Sequence, residues 1–243
     1  TVFKDYYRLT PEKFTNVTNG IAHRRWLCQS NPALTELLTK KIGDGFILDA
    51  SELSKFNKFA DDKTVLKSLA KIKRGNKERF AKHIFDITGE KLDVDSMFDV
   101  QVKRLHEYKR QEMNALAILA RYVEIKNNPN GNYVPHTYIF GAKAAPGYYV
   151  AKKIISFISA LAKTVNSDPA VNKFMKVIFV ENYSVTEAEL LMPAAEISQQ
   201  ICLAGRWGSW RTTTSPPPRS SSRPAICLSR SALPPRRPPA PAI

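Results

Sequence analysis

From residue 91 onward, short apolar runs alternate with longer amphipathic segments. The runs are residues 97–102, 137–140 and 177–180, and the segments are residues 110–127, 148–165 and 185–191. Runs of this length suit strands, and the apolar residues in the segments recur at helical spacing. Parallel strands need a crossover between them, commonly a helix, so a β-α-β-α-β-α series predicts an α/β fold with a parallel sheet.

Two further predictions concern individual helices. In residues 110–127 the core-facing stripe is predicted to be Met113, Leu116, Ala117, Ala120 and Val123. Before the alternating region, residues 1–90 are predicted to form a connecting segment of loops and helices. Its helices are predicted at residues 31–42, between an Asn-Pro start and a glycine stop, at residues 49–59, and at residues 61–87, where Gly75 is a candidate interruption.

A basic cluster follows the first predicted strand. Five basic side chains fall within eight positions: Lys103, Arg104, His106, Lys109 and Arg110. Ligands of open α/β folds bind at the carboxyl ends of strands, and a helix N-terminus adds free N–H groups. The three loops after residues 102, 140 and 180 would share one edge of the sheet. This convergence favours a phosphate site over the alternative of a solvated charge run.

The net charge of +15 raises a rival function, nucleic-acid binding. Seven of the 37 basic residues are arginines in residues 206–243, which contain no acid. Without them 30 basic residues face 22 acidic ones, a net charge of +8. No apolar run approaches the roughly 20 residues that cross a bilayer, and the start does not resemble a signal peptide. Three cysteines lack metal-ligand spacing, so we expect a cytoplasmic protein without metal or membrane contact.

Several runs resemble the glycogen, starch and maltodextrin phosphorylase family. They are Phe14–Ile21, Phe98–Gln111, Gly141–Tyr148, Val177–Tyr183 and Met192–Ile201, in unbroken order over about residues 1–205. The most specific is Val-Lys-Arg-Leu-His-Glu-Tyr-Lys-Arg-Gln, residues 102–111. The resemblance implies that residues 91–205 are part of the Rossmann-like C-terminal domain of a two-domain GT-B glycosyltransferase, with its other domain before Thr1.

The resemblance also implies an activity. Members of this family use pyridoxal 5'-phosphate to release glucose 1-phosphate from the ends of α-1,4-glucans, with inorganic phosphate as the second substrate, and they are homodimers. The phosphate of the cofactor, rather than its ring, assists the reaction. Bringing two phosphates within about 4–5 Å would cost several kcal/mol in a dry pocket without compensation, which explains a dense positive charge.

Site residues carry over position by position from the resemblance. Arg104 and Lys109 would bind the substrate phosphate, and His106 would orient Arg104. The remaining three are Lys103 and Tyr183, beside the cofactor phosphate, and Asn19, at the sugar. Each has a structural alternative when taken alone: an asparagine before glycine is commonly a turn residue, a tyrosine at a strand end packs, and a histidine can simply be hydrogen-bonded.

The family resemblance stops at Gly205. In the family, the chain continues Thr-Glu-Ala-Ser-Gly-Thr-Gly-Asn-Met-Lys, and that lysine forms the Schiff base with the cofactor. Here residues 206–243 hold nine of the sixteen prolines, and their composition predicts disorder. Back-translated together with one preceding base and the stop codon that follows, and read with a shift of one base, residues 236–243 can encode Thr-Glu-Ala-Ser-Gly-Thr-Gly-Asn-Met. We therefore hypothesise that residues 211–243 are a frame-shifted second reading of the stretch from Glu181.

The sequence thus predicts a phosphorylase fragment that lacks the cofactor lysine and is inactive and poorly soluble alone. The alternatives from other classes are a basic nucleic-acid-binding or interaction protein and a non-catalytic fragment that joins a phosphorylase partner.

Overall fold

A computed structural model describes residues 3–15 and 20–199. The chain divides into two compact units, Thr1–Lys58 and Phe59–Ile243.

The first unit is built from short helices. These are α1 (Lys4–Leu9), a 3-10 turn (Pro11–Lys13), a π-helical segment (Arg24–Gln29), α2 (Pro32–Ile42) and 3-10 helices at Gly45–Ile47 and Ala50–Phe59. Asn31 caps α2 as predicted, because its side chain accepts a hydrogen bond from the Leu34 N–H at 3.4 Å. Gly43, at φ +82°, ends the helix.

The second unit confirms the predicted alternation of strands and helices. In chain order its elements are α3 (Lys63–Thr88), β1 (Met97–Val102), α4 (Gln111–Asn127), β2 (His136–Gly141), α5 (Tyr149–Ser167), β3 (Met175–Val180), α6 (Val185–Ala194) and β4 (Ile197–Ser198). The Asp62 carboxylate accepts hydrogen bonds from the N–H groups of Thr64 and Val65, so α3 begins at a strong N-cap.

Among the described residues, the sheet has four parallel strands in the order β3-β2-β1-β4. β1 pairs with β2, and β2 with β3, over their full lengths, starting from Met97 opposite His136. In the residues that the structure describes, β4 pairs with β1 only through Ile197 and Ser198. This weakly paired strand therefore depends on other contacts for its register.

Helices cover both faces of the sheet. Because successive side chains of a strand point to opposite faces, Phe98, Val100 and Val102 of β1 enter the core shared with α3 and α6. On the opposite face, α4 and α5 build a second core on β2 and β3. Asp99 and Gln101 alternate with the apolar residues of β1 and are also buried. The sheet is thus buried on both sides, as parallel sheets are.

Gly75 does not interrupt α3, which runs unbroken from Lys63 to Thr88. A glycine costs about 1 kcal/mol relative to alanine in a helix interior. The residues after it, Asn76, Lys77 and Phe80, are buried within the second unit. The packing of these neighbours offsets the local cost, which periodicity alone did not reveal.

The predicted core stripe of α4 is wrong. Leu116 and Val123 are 45% and 46% exposed, and Ala117 and Ala120 also face solvent. The buried residues of this helix are instead Gln111, Asn114, Ala115, Ile118, Tyr122 and Ile125. At 100° per residue the two sets lie on opposite faces, so α4 is apolar on both sides. Periodicity could not decide which face packs, and two of the buried residues are amides.

The predicted division at residue 90 stays a prediction about domain organisation, although α3 packs on the same sheet as the elements that follow it. In residues 3–15 and 20–199, no helix is long and apolar enough to cross a membrane. The same ranges contain no group of three or more His, Cys, Asp or Glu side chains arranged to hold a metal ion.

Candidate functional site

Three strand ends meet at one edge of the sheet. Since β1, β2 and β3 are parallel and in register, their last residues, Val102, Gly141 and Val180, lie side by side. β1 sits between β2 and β4, and the connecting helices lie on opposite faces. Ligands of open α/β sheets bind where the strand order reverses in this way. The candidate site is therefore the carboxyl edge around β1.

The basic segment, residues 103–110, lies along the loop that follows β2. The Lys103 N–H donates to the Gly141 carbonyl at 3.0 Å, and the Leu105 N–H donates to the Lys143 carbonyl at 3.1 Å. The Leu105 side chain is 3% exposed and anchors the segment in the core. The pairing of β1 with β2 thus continues beyond the strands and holds the first half of the segment.

Three cations at this edge are available to a ligand. Within the part of the chain that the structure describes, the ammonium groups of Lys103 and Lys143 and the guanidinium of Arg104 have no hydrogen-bond or ion-pair partner. Arg104 is exposed and Lys103 is half-buried. Unpaired cations concentrated at one edge create a local field that attracts anions.

Lys109 folds back onto Arg104. The Lys109 ammonium donates to the Arg104 carbonyl at 2.8 Å, and it lies 5.4 Å from the centre of the Tyr108 ring. The turn that permits this is a 3-10 helix at Glu107–Lys109, followed by Arg110 at φ +59°. The two residues predicted to bind the substrate phosphate are therefore brought together by this 3-10 turn, and Arg110, in a left-handed conformation that few side chains tolerate, connects the turn to α4.

His106 lies among aromatic rings. Its Nδ1 accepts a hydrogen bond from the Tyr108 N–H at 3.4 Å, and the ring centres of Tyr108 and Tyr148 are 4.5 Å and 5.4 Å away. The Tyr148 hydroxyl donates to Glu107 at 2.7 Å. No hydrogen bond joins His106 to the Arg104 side chain in the described part of the chain, so its orienting role stays a prediction.

Tyr183 reaches the same edge from the end of β3. A Cβ atom on Gly141 would lie 2.8 Å from Val102 Cγ1 and 3.0 Å from Tyr183 Cγ, so only glycine leaves room for this packing. Burial, and secondly the negative charge of Glu187, raises the pKa of Tyr183 to about 12. The hydroxyl is therefore protonated at neutral pH and can donate a hydrogen bond.

Two sequence predictions fall outside the described residues. They are the sugar contact of Asn19 and the disordered tail from residue 206.

A sequence model described as carbohydrate phosphorylase matches residues 1–212. The chain belongs to the carbohydrate phosphorylase family. Its similarity to individual phosphorylases is equally clear. It is 48% identical over 205 residues to the brain form of glycogen phosphorylase from Bos taurus, and 49% identical over 204 residues to the liver form from Homo sapiens.

A bacterial phosphorylase is nearly as similar, since the glycogen phosphorylase of Synechocystis is 46% identical over 209 residues. These matches cover 84–86% of this chain but only 24–25% of the relatives. The chain thus spans about a quarter of the length of the phosphorylases it matches.

Sequence reasoning missed the polar contacts beneath the candidate site. The Gln199 amide donates to both carboxylate oxygens of Asp99, at 2.8 Å and 2.9 Å, and thereby ties the end of β4 to β1. Asp99 is only 9% exposed. The available signal was the pattern Met-Phe-Asp-Val-Gln-Val: polar residues that alternate within a strand buried on both faces must find partners inside the protein.

Asp99 should make stability depend on pH. Burial raises its pKa, and the Gln199 hydrogen bonds only partly oppose this. Because the pKa is higher in the folded state, the stabilising contribution is complete below the ordinary value of 3.8 and disappears as pH rises through the raised value. We therefore expect the free energy of unfolding of Asp99→Asn, relative to wild type, to increase between pH 4 and pH 7.

Urea unfolding across this pH range measures the effect of Asp99→Asn. The control is Asp86→Asn, an exposed carboxylate on α3. The raised pKa of Asp99 would be contradicted if the difference in free energy of unfolding between wild type and Asp99→Asn stayed constant with pH. It would also be contradicted if that difference changed with pH in the same way as for Asp86→Asn.

Proposed function

We propose that this chain is the phosphate-binding segment of an α-1,4-glucan phosphorylase. One observation carries the proposal: Lys103 and Arg104 present cations that have no partner among residues 3–15 and 20–199, at the carboxyl edge of β1, with Lys109 folded against the Arg104 carbonyl. A site for two neighbouring phosphates needs such a concentration of positive charge to offset their repulsion. By the same resemblance, we expect a cytoplasmic enzyme that is a homodimer when complete.

The proposed reaction is phosphorolysis. An oxygen of inorganic phosphate forms a bond to C1 of the terminal glucosyl residue, and the bond from C1 to the glycosidic oxygen breaks. That oxygen takes up, in the net reaction, the proton that the attacking hydrogen phosphate gives up and becomes the 4-hydroxyl of the shortened glucan, while the sugar leaves as glucose 1-phosphate. Arg104 would hold the attacking phosphate with its two-pronged guanidinium, and Lys109 would add a point charge.

The donors at this edge fit the phosphate group of pyridoxal 5'-phosphate. The Lys103 ammonium is unpaired in the described residues, and the Tyr183 hydroxyl is protonated at neutral pH. These two groups would hold the cofactor phosphate by charge and by hydrogen bonding. When bound, the cofactor supplies a phosphate group that assists attack by the substrate phosphate. His106 would orient Arg104, and Asn19 would contact the sugar.

The segment alone is not expected to catalyse phosphorolysis, because it spans about a quarter of the length of its relatives. We expect no glucose 1-phosphate when the purified chain is incubated with glycogen and phosphate. Binding of phosphate, rather than turnover, is therefore the decisive property.

We expect the chain to bind inorganic phosphate and the double variant Lys103→Ala/Arg104→Ala to bind it at least about tenfold more weakly. Each hydrogen bond to a charged group contributes about 1.5–3 kcal/mol, so the loss of two cations should exceed this factor. Isothermal titration with phosphate measures the affinities. The matched control, Lys67→Ala/Lys71→Ala, removes two exposed cations from α3. Equal affinities of both variants, or no saturable binding by the wild type, would refute the proposed function.

A further inference from the structure

Three buried side-chain amides lie beneath the basic segment. Gln101 and Gln111 are each 2% exposed, and Asn114 is 6% exposed. Burying an amide costs free energy unless hydrogen bonds replace those lost to water. Apolar side chains would pack at these positions without that cost. The polar residues therefore call for a specific explanation, which their partners supply.

Gln101 and Asn114 connect β1 to α4. The Asn114 amide donates to Gln101 Oε1 at 2.8 Å, which fixes the orientation of the glutamine side chain. Gln101 Nε2 is then directed to the Lys109 carbonyl at 3.5 Å. Gln101, a buried residue of β1, thus contacts the backbone of Lys109, whose ammonium group bonds to the Arg104 carbonyl.

Gln111, the first residue of α4, contacts three residues of the basic segment. Its Nε2 donates to the carbonyls of Lys103 at 3.4 Å and Arg104 at 3.3 Å, and its Oε1 accepts from the His106 N–H at 3.5 Å. Each of these bonds is long and weak when taken alone. Together with Gln101, however, they tie four backbone positions of the segment to buried groups.

The segment needs such support. Lys103, Arg104, Lys109 and Arg110 carry like charges within eight positions, and their mutual repulsion favours an extended chain. Arg110 also adopts φ +59°, which costs free energy for a residue with a side chain. A compact turn of this composition persists only when surrounding groups hold its backbone.

We propose that Gln111 and Gln101 are positioning residues, which hold the backbone of the basic segment so that its cations are arranged before an anion arrives. A preorganised site binds more tightly because less ordering is required on binding. The inference rests on the proposed function, since it names what shapes the same phosphate site. The amides themselves do not touch the ligand; they act through the backbone.

The test compares Gln111→Met with Asn166→Ala in the full chain. Methionine nearly matches glutamine in volume but cannot make its hydrogen bonds. Asn166 is a matched control, since its amide also bonds to the backbone: it donates to the Val177 carbonyl at 2.9 Å and accepts from the Val177 N–H at 3.0 Å, on the outermost strand β3.

Two measurements are made on each protein: the affinity for inorganic phosphate, and hydrogen exchange at the backbone amides of residues 103–110. We expect Gln111→Met to bind phosphate about tenfold more weakly and to exchange faster in this segment, as loss of one to two net hydrogen bonds implies. Asn166→Ala should lower stability while leaving both readouts unchanged. If Gln111→Met does not fold, Gln101→Met gives the same comparison through the Lys109 carbonyl.

The outcomes separate this inference from the proposed function. Unchanged affinity and unchanged exchange in Gln111→Met would overturn the inference while leaving phosphate binding intact. Equal losses of affinity in Gln111→Met and Asn166→Ala would also overturn it, since the effect would then be general destabilisation. Two results together would support the positioning role and refute the proposed function: Gln111→Met exchanges faster only in residues 103–110, and the wild type binds no phosphate.

Discussion

Phe98→Ala is expected to lower the free energy of unfolding by about 4 kcal/mol. Phe98, on β1, is fully buried and packs edge-on against the equally buried Phe80 of α3, with ring centres 6.2 Å apart. Truncating a buried phenylalanine costs about 3–5 kcal/mol, because apolar contacts are lost and a cavity remains. Domains of this size are stable by only about 5–15 kcal/mol, so this loss removes a large share of the total stability.

Urea unfolding followed by circular dichroism measures the effect of Phe98→Ala. Phe85→Ala is the control, because Phe85 lies on the same helix as Phe80 but is 44% exposed. We expect the control to cost less than about 1 kcal/mol. A smaller loss for Phe98→Ala than for Phe85→Ala would mean that α3 does not pack on β1 as described.

Lys77→Ala is expected to cost about 3 kcal/mol. The Lys77 ammonium is nearly buried and bonds to Glu196 at 3.0 Å and to the Ser96 carbonyl at 2.6 Å. Removing one partner of a buried ion pair costs about 3–5 kcal/mol, because the other charge stays behind unpaired. The lower end applies here, since Glu196 is 30% exposed and also accepts a hydrogen bond from the Phe98 N–H.

This ion pair also helps to fix the position of β4 beside β1. Glu196 directly precedes that strand, which up to residue 199 pairs with β1 at two positions, and Gln199 at the other end is tied to Asp99. The two side chains therefore set the register of the strand that borders the reversal of strand order. Lys77→Ala should consequently speed hydrogen exchange in β4 as well as reduce global stability.

The test of Lys77→Ala uses chemical denaturation with Lys82→Ala, an exposed lysine of the same helix, as control. A double-mutant cycle with Glu196→Gln isolates the coupling between the two charges, since glutamine can still accept from the Phe98 N–H. Equal costs for Lys77→Ala and Lys82→Ala, or a coupling energy near zero, would show that the pair does not hold α3 to β4.

The alternation of strands and helices could be predicted because it depends on local pattern alone. β1 was predicted with the observed bounds, whereas β2 was predicted one residue short at each end and β3 two residues short at its start. A fully buried strand is a short apolar run, and the turn and cap residues around it act locally. The same reasoning placed the basic segment correctly at a strand end, since chain order and parallel direction suffice for that.

The packing faces could not be predicted in the same way. α4 has apolar residues on both sides, and the face that packs on the sheet includes Gln111 and Asn114. From helical periodicity alone, the stripe that contains leucine and valine is predicted to be the buried one. The buried amides reverse that preference because their partners, Gln101 and the backbone of residues 103–109, come from other elements.

By itself the sequence determined the α/β class, the order of the elements, the place of the basic segment and the resemblance to phosphorylases. These properties follow from residue type and spacing along the chain. Only the tertiary structure decided which side of α4 is buried, that Lys77 and Glu196 form an ion pair, and that two glutamines lie beneath the basic segment. Such contacts join residues distant in sequence, and their free energy depends on burial and geometry that exist only once the chain has folded.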